Sequence, residues 1–352
     1  MRRLREPSPK LNNALFFLAG VMTVVLVFIL VAGVQTKAQQ GGRAYGGEPA
    51  PATERVEPGP VQEETLEKWQ EGVIEYKGKS YRYNSNLRTY LIMGVDSDDP
   101  VEEAKDGVSG GQSDAMFLLV ADSEKRQLSV ISINRNTMTD IDIYDEEGYS
   151  LGSLQGQICL QHSFGDGRKL SCSRSADVVA ELFGNIPVSG YIALNMGGIP
   201  LMNNAVGGVE VTVLADIHDP ARGVELCEGD TVTLSGEEAY SYLKSRDVTE
   251  FDSASQRLRR EEQYIIGYMD KLREMAGDNT SMVEGVYDSV ADYLVTSVNF
   301  TNLLTELTSY TFDEEHLYTV PGETVMGEEL EEYYVEEEAF ADLIYEVFYI
   351  PL

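Results

Sequence analysis

Thr-Tyr-Leu-Ile-Met-Gly-Val-Asp at 89–96, Asp-Ala-Met-Phe-Leu-Leu-Val-Ala-Asp at 114–122 and Gln-Leu-Ser-Val-Ile-Ser-Ile-Asn at 127–134 decide how this chain folds. The first is apolar on both faces up to its last residue, the pattern of a central buried strand ending at Asp96. The turn Asp-Ser-Glu-Lys-Arg (122–126) is too short for a crossover, so the second and third strands must run antiparallel. Arg135, at the exit of the third strand, then lies beside Asp114 at the start of the second. If the first strand is also antiparallel to the second, Asp96 joins that edge and loop 97–113 closes over it. Two carboxylates and one guanidinium converge.

Outward from this core, the alternating runs at 73–84 flank Lys77-Gly78 and read as a hairpin. Downstream, the pattern predicts a helix over 175–184, a strand over 191–196, a short helix ending at Gly207-Gly208 and a strand over 209–215. Capping-box signatures at 235–238 and 253–256 open helices reaching about Arg246 and Gly277. The alternation implies an α/β fold, a three-layer α-β-α domain with a central mixed β-sheet. On the last helix Arg257, Arg260 and Tyr264 share one face, while Leu258, Ile265, Met269 and Leu272 form the core face. Lys244, Arg246, Arg257, Arg259 and Arg260 are the densest cationic patch of the chain. No Lys or Arg follows Arg273, and the acidic stretch 313–346 carries enough Leu, Tyr, Phe and Ile for a strand and a final amphipathic helix.

Composition narrows the partners. The 352 residues hold 27 Lys plus Arg against 59 Asp plus Glu, a formal charge of −32, which excludes binding of nucleic acid by phosphate neutralisation. Cys159, Cys172 and Cys227 are too widely spaced for a zinc knuckle or redox motif, and the odd count argues against a Cys172–Cys227 pair. His162, His218 and His316 read as structural.

Residues 14–34 carry no charge, long enough at helical rise to cross a bilayer core of about 30 Å. A cleaved signal peptide has a shorter apolar region, so the expectation is one uncleaved N-terminal transmembrane helix. Arg2, Arg3, Arg5 and Lys10 against Glu6 alone put residues 1–13 in the cytoplasm as a short tail. Residues 35–72, rich in Gln, Gly, Pro and Glu at their start, read as an extracellular linker, and 73–352 as an extracellular α/β domain.

Four blocks, in order, resemble the LytR-CpsA-Psr family of cell-envelope proteins of Gram-positive bacteria: Leu-Ile-Met-Gly-Val-Asp-Ser (91–97), Ser-Asp-Ala-Met (113–116), Ser-Ile-Asn-Arg-Asn-Thr-Met (132–138), and Lys-Ser-Arg with Arg-Leu-Arg-Arg-Glu-Glu (244–262). The motif-bearing core is 88–270. The resemblance implies a membrane-anchored phosphotransferase that attaches a glycopolymer, such as a teichoic acid or capsular polysaccharide, from a polyprenyl-pyrophosphate carrier to peptidoglycan.

A pyrophosphate leaving group needs charge neutralisation, so Mg²⁺ (or Mn²⁺) held by Asp96 and Asp114 is the expected cofactor. Arg135, Arg246, Arg257 and Arg260 are the expected catalytic residues, clamping the phosphates together with Lys244 and Asn136. Asp96 or Asp114 is the candidate base for the acceptor hydroxyl. A lipid slot between sheet and helices could draw on Phe117, Leu119, Val179 and Phe183, but each of them reads first as ordinary core. The chain departs from the family pattern at Asn136 for an aspartate, Lys244 for an arginine, Glu261 for a glutamine, and Asp252 as an offset aspartate. These departures keep open a noncatalytic homologue that binds the lipid as scaffold or sensor; a lipid pyrophosphate hydrolase using the same pocket is the other alternative.

Overall fold

The computed structural model describes residues 72–276, 281–328 and 330–352. The expected cytoplasmic tail, the membrane helix over 14–34 and the linker up to residue 71 lie outside the described residues. Among the described residues no helix is long and apolar enough to cross a membrane.

Strands β1 (Val73–Tyr76) and β2 (Lys79–Tyr83) form the expected hairpin, with Lys77 and Gly78 both at positive φ, as a tight two-residue turn requires. Strands β3 (Leu87–Val95), β4 (Ser113–Asp122) and β5 (Gln127–Ile133) follow where the sequence placed them, antiparallel in both pairs. Next come the hairpin β6 (Met138–Tyr144) and β7 (Ser150–Gln157), helix α1 (Lys169–Leu182), β8 (Gly190–Asn195) and helix α2 (Ile199–Ala205). Short strands β9 (Glu210–Thr212), β10 (Ile217–Asp219), β11 (Val224–Leu226) and β12 (Thr231–Thr233) lead into helices α3 (Gly236–Lys244), α4 (Ser253–Ala276) and α5 (Ser281–Val290). Then follow β13 (Leu294–Thr296), α6 (Phe300–Leu307), β14 (Leu317–Thr319), β15 (Gly322–Met326), β16 (Glu331–Val335), α7 (Glu337–Phe348) and β17 (Tyr349–Pro351).

The central sheet has six strands in the order β13-β8-β3-β4-β5-β14. It is mixed: β3 pairs parallel with β8 and β5 with β14, while the other pairs are antiparallel. Alternate residues of β3 and β4 serve different cores. Leu91, Met93, Met116 and Leu118 pack with Val178, Val179 and Phe183 and with Phe340, Leu343 and Phe348, from α1 and α7. Tyr90, Phe117 and Leu119 pack with Leu258, Leu303 and Leu307, from α4 and α6. Helices therefore cover both faces, which is why β3 and β4 need apolar residues at nearly every position. Complete burial of Leu91, Met116, Leu118 and Ile131 contributes roughly 1.5–3 kcal/mol apiece.

Several sequence boundaries move, each for a local reason. Helix α1 starts at Lys169, six residues before the expected Ser175, because Asp166 Oδ1 accepts from the amides of Arg168, Leu170 and Ser171 at 2.8, 3.0 and 3.2 Å. The strand expected over 209–215 shortens to β9, which pairs with β12 outside the central sheet. The capping box at Ser235 forms as expected, but α3 stops at Lys244.

Candidate active site

The site is built at one corner of the central sheet. Met116 pairs with Ile133, and continuing that antiparallel register two residues in each direction sets Asp114 against Arg135. Arg135 Nη1 forms a salt bridge with Asp114 Oδ1. On the other side the β3–β4 ladder shifts register at Gly94/Val95, and the amide of Asp96 donates to the Gln112 carbonyl at 2.9 Å. This irregularity turns Asp96 out to solvent at the rim, while Asp114 is 7% exposed. Gly197 shapes the next stretch: a Cβ there would lie 2.0 Å from the Asp98 carbonyl oxygen, so only glycine allows loop 97–99 to pack so closely.

The first turns of α4 complete the cluster. Arg257 Nη1 lies 3.0 Å from Asp114 Oδ2, and its Nη2 donates to the Asp114 main-chain oxygen at 2.7 Å. One turn on, Glu261 Oε1 lies 3.2 Å from Arg257 Nε. Arg135 Nη2 is held from below by Gln112 Oε1 at 2.6 Å and Cys159 Sγ at 3.3 Å. Burial alone would raise the Asp114 pKa, but the guanidiniums of Arg135 and Arg257 hold it below the usual carboxylate range. Glu261 behaves oppositely: burial, with the Asp114 charge adding to it, pushes its pKa up to about 7 despite Arg257 and Arg260.

Arg246 is the exception in the cluster. It is half-buried, and among the described residues it makes no hydrogen bond or ion pair. Burial, then the like charges of Arg135 and Arg257, disfavour its protonated form. Asp114 and Glu331 offset part of this, though neither forms an ion pair with it among the described residues.

Not every expected residue joins. Arg260 is buried with its Nε donating to the Tyr242 carbonyl at 2.8 Å and its Nη2 to the Ser245 carbonyl. It satisfies the C-terminal carbonyls of α3 and ties that helix to α4. Lys244 Nζ sits 3.1 Å from Asp96 Oδ1 and 3.0 Å from Asp98 Oδ1, and Tyr240 also donates to Asp98. Asp98, in the loop after β3, thus anchors this lysine. Asn136 is buried beside the cluster, its amide donating to Asn134 Oδ1 at 2.9 Å and its carbonyl accepting from Tyr333. Gln112, Cys159 and the role of Glu261 were not expected, because nothing in their local spacing marks them.

Beside the cluster, between sheet and helices, lies an apolar cavity of about 220 Å³. Ala115, Phe117 and Leu119 of β4 line it, with Ile265 and Met269 of α4 and Leu303 and Leu307 of α6; Glu261 is the charged residue in its wall. Phe117 and Leu119 line it while belonging to the core on that sheet face, whereas Val179 and Phe183 belong to the core on the opposite face. All three cysteines are free, Cys172 buried and Cys227 exposed.

The LytR_cpsA_psr family model matches residues 62–347. The chain belongs to the LytR_cpsA_psr family. Among curated relatives, it is 27% identical over 236 residues to the polyisoprenyl-teichoic acid–peptidoglycan teichoic acid transferase TagU of Enterococcus faecalis, covering 64% of this chain and 68% of that protein. In two further relatives of the same name the match spans less than half their length. Among solved structures, the fold matches protein gbs0355 of Streptococcus agalactiae at TM-score 0.60 and 19% identity, over 75% of this chain and 87% of that one. It also matches TagV of B. subtilis at TM-score 0.58 and 19% identity, over 74% and 96%. The mixed α/β architecture is therefore that of LytR_cpsA_psr structures, and the four sequence blocks converge on one corner of it.

Proposed function

We propose that this LytR_cpsA_psr protein is a membrane-anchored phosphotransferase that moves a phosphoglycan, a teichoic acid or a related wall polymer, from a polyprenyl-pyrophosphate carrier to a peptidoglycan hydroxyl. The observation that carries the reading is the half-buried Arg246, without a hydrogen bond or ion pair among the described residues and in the field of Arg135 and Arg257, in a cluster whose Glu261 also lines the apolar cavity. A ligand with a doubly anionic head and a hydrocarbon tail answers both features. In this reading residues 14–34 span the membrane, the N-terminus is cytoplasmic, and the domain works outside the cell within reach of lipid.

Arg246 and Arg135 bind the pyrophosphate, and the tail enters the slot between Phe117 and Ile265. The acceptor hydroxyl attacks the phosphorus carrying the glycan, the bridging P–O bond of the pyrophosphate breaks, and polyprenyl phosphate leaves. The hydroxyl proton passes to a carboxylate at the corner, for which exposed Asp96 is best placed.

A Mg²⁺ or Mn²⁺ ion suits the donors present. Asp96 and Asp114 are hard carboxylate ligands on neighbouring strand ends, and Asp96 Oδ2 has no partner among the described residues. Asp114 would join only by exchanging an oxygen now held by arginine. When bound, the ion neutralises charge on the leaving pyrophosphate.

The test uses the full chain in lipid nanodiscs with labelled polyprenyl-pyrophosphate glycan, Mg²⁺ and peptidoglycan oligomers, beside Arg246→Ala. Metal-dependent movement of label into peptidoglycan, lost in the variant, supports transfer. Phosphate release without an acceptor would make the protein a hydrolase. A carrier that binds without turnover is the second reading, favoured by Lys244, whose ammonium is already occupied by Asp96 and Asp98; tight donor binding with no chemistry would establish it.

A further inference from the structure

On the outward side of α4 a second cleft, of about 470 Å³, runs between the helix and the β15–β16 hairpin. Its character is the reverse of the apolar cavity. Arg259 lines it, exposed and without a hydrogen bond or ion pair among the described residues, and Phe251 stands 56% exposed at its edge. Facing them are the carboxylates of Asp252, Glu262 and Glu323. Thr324 donates to Asp252 Oδ1, and Thr319 to Glu262 Oε1 at 2.8 Å, so each of these acids keeps a second oxygen unengaged.

We infer that this cleft is the subsite for the acceptor's saccharide strand. The inference rests on the transfer reading above and specifies where the second substrate sits. An exposed aromatic ring, an unpaired guanidinium and several free carboxylate oxygens within one cavity match a polyhydroxylated ring, whose C–H face stacks on the aromatic while its hydroxyls donate to the acids and accept from arginine. A phosphate polymer is disfavoured there by three carboxylates facing one cation. The volume falls in the range of small-molecule sites, roughly 300–1,000 Å³.

Location strengthens the assignment. Asn134 lines the cleft and is followed directly by Arg135 of the ion-pair cluster. The amide of Asp252 donates to Glu331 Oε1 at 2.6 Å, and Arg246 feels the charge of that same glutamate. A sugar ring in the cleft therefore abuts the pyrophosphate corner beside a different set of α4 residues from those lining the apolar cavity, which leaves room for donor and acceptor together.

The experiment uses the full chain in detergent micelles, titrated calorimetrically with a peptide-free peptidoglycan tetrasaccharide, for wild type, Arg259→Ala and Phe251→Ala. Both side chains are exposed and neither belongs to the pyrophosphate machinery. The expected result is a rise in the tetrasaccharide dissociation constant of at least about tenfold in each variant, with donor-lipid affinity unchanged and acceptor KM raised at retained kcat. Equal tetrasaccharide affinity in all three proteins, or no binding to wild type at millimolar concentration, would overturn the subsite. Transfer with an unchanged acceptor KM in both variants would overturn the subsite alone. Tetrasaccharide binding that depends on Arg259 in a protein that neither binds nor transfers the lipid donor would support the subsite and overturn the transfer reading.

Discussion

Arg257 grips Asp114 twice, through Nη1 to the carboxylate at 3.0 Å and through Nη2 to the main-chain oxygen at 2.7 Å. The first contact balances charge; the second fixes helix α4 against the edge of strand β4. Because Arg257 Nε also faces Glu261, one buried guanidinium serves two buried carboxylates.

Removing that guanidinium leaves Glu261 without its ion-pair partner and Asp114 with Arg135 alone, both in a low-dielectric setting. Arg257→Met should therefore cost about 3–5 kcal/mol, the usual penalty for an unpaired buried charge. Chemical denaturation of the full chain reads this directly, and a loss below about 1 kcal/mol would contradict the buried pairing.

Arg246 and Arg260 should behave as opposites. Arg246→Ala relieves repulsion from Arg135 and Arg257, so the fold should hold or gain slightly while affinity for polyprenyl pyrophosphate drops about tenfold to a hundredfold, the worth of a charge-assisted hydrogen bond. Arg260→Ala should unfold more readily, by about 2 kcal/mol, because it frees the carbonyls of Tyr242 and Ser245. Melting curves paired with donor titrations separate the two.

Glu261 gives a pH dependence with a definite sign. Between the ordinary carboxyl value and about 7, it is protonated in the folded chain and ionised in the unfolded one. The unfolded state then binds fewer protons, so this group lowers stability as pH rises through that window, by at most about 1.4 kcal/mol per pH unit. Glu261→Gln removes the slope, and its stability relative to wild type should climb from pH 5 to pH 7. A difference that stays flat across that range in urea titrations would refute the assignment.

Filling the apolar cavity should separate tail from head recognition. Ile265→Trp places an indole in the space of about 220 Å³ and should weaken binding of polyprenyl pyrophosphate at least about tenfold, leaving inorganic pyrophosphate affinity unchanged. Equal losses for both ligands would mean that the substitution had displaced the arginine cluster.

The β3–β4–β5 core, the hairpin about Lys77-Gly78, the meeting of Asp114 with Arg135 and the family were all legible in the order of residues. Each depends on short-range facts: alternation of apolar residues, the length of one turn, and a register that a one-residue slip would invert. What α4 brings to that corner was decided only by tertiary structure. Arg257 and Arg260 lie on one helical face, but which acceptor each guanidinium meets depends on how α4 docks on β4 and on the end of α3. Arg257 found a carboxylate and Arg260 found two carbonyls. The same holds for Lys244 with Asp98, for the thiol of Cys159 under Arg135, and for the cleft behind Arg259. These contacts join residues tens to more than a hundred positions apart, where packing of whole elements, not local spacing, selects the partner.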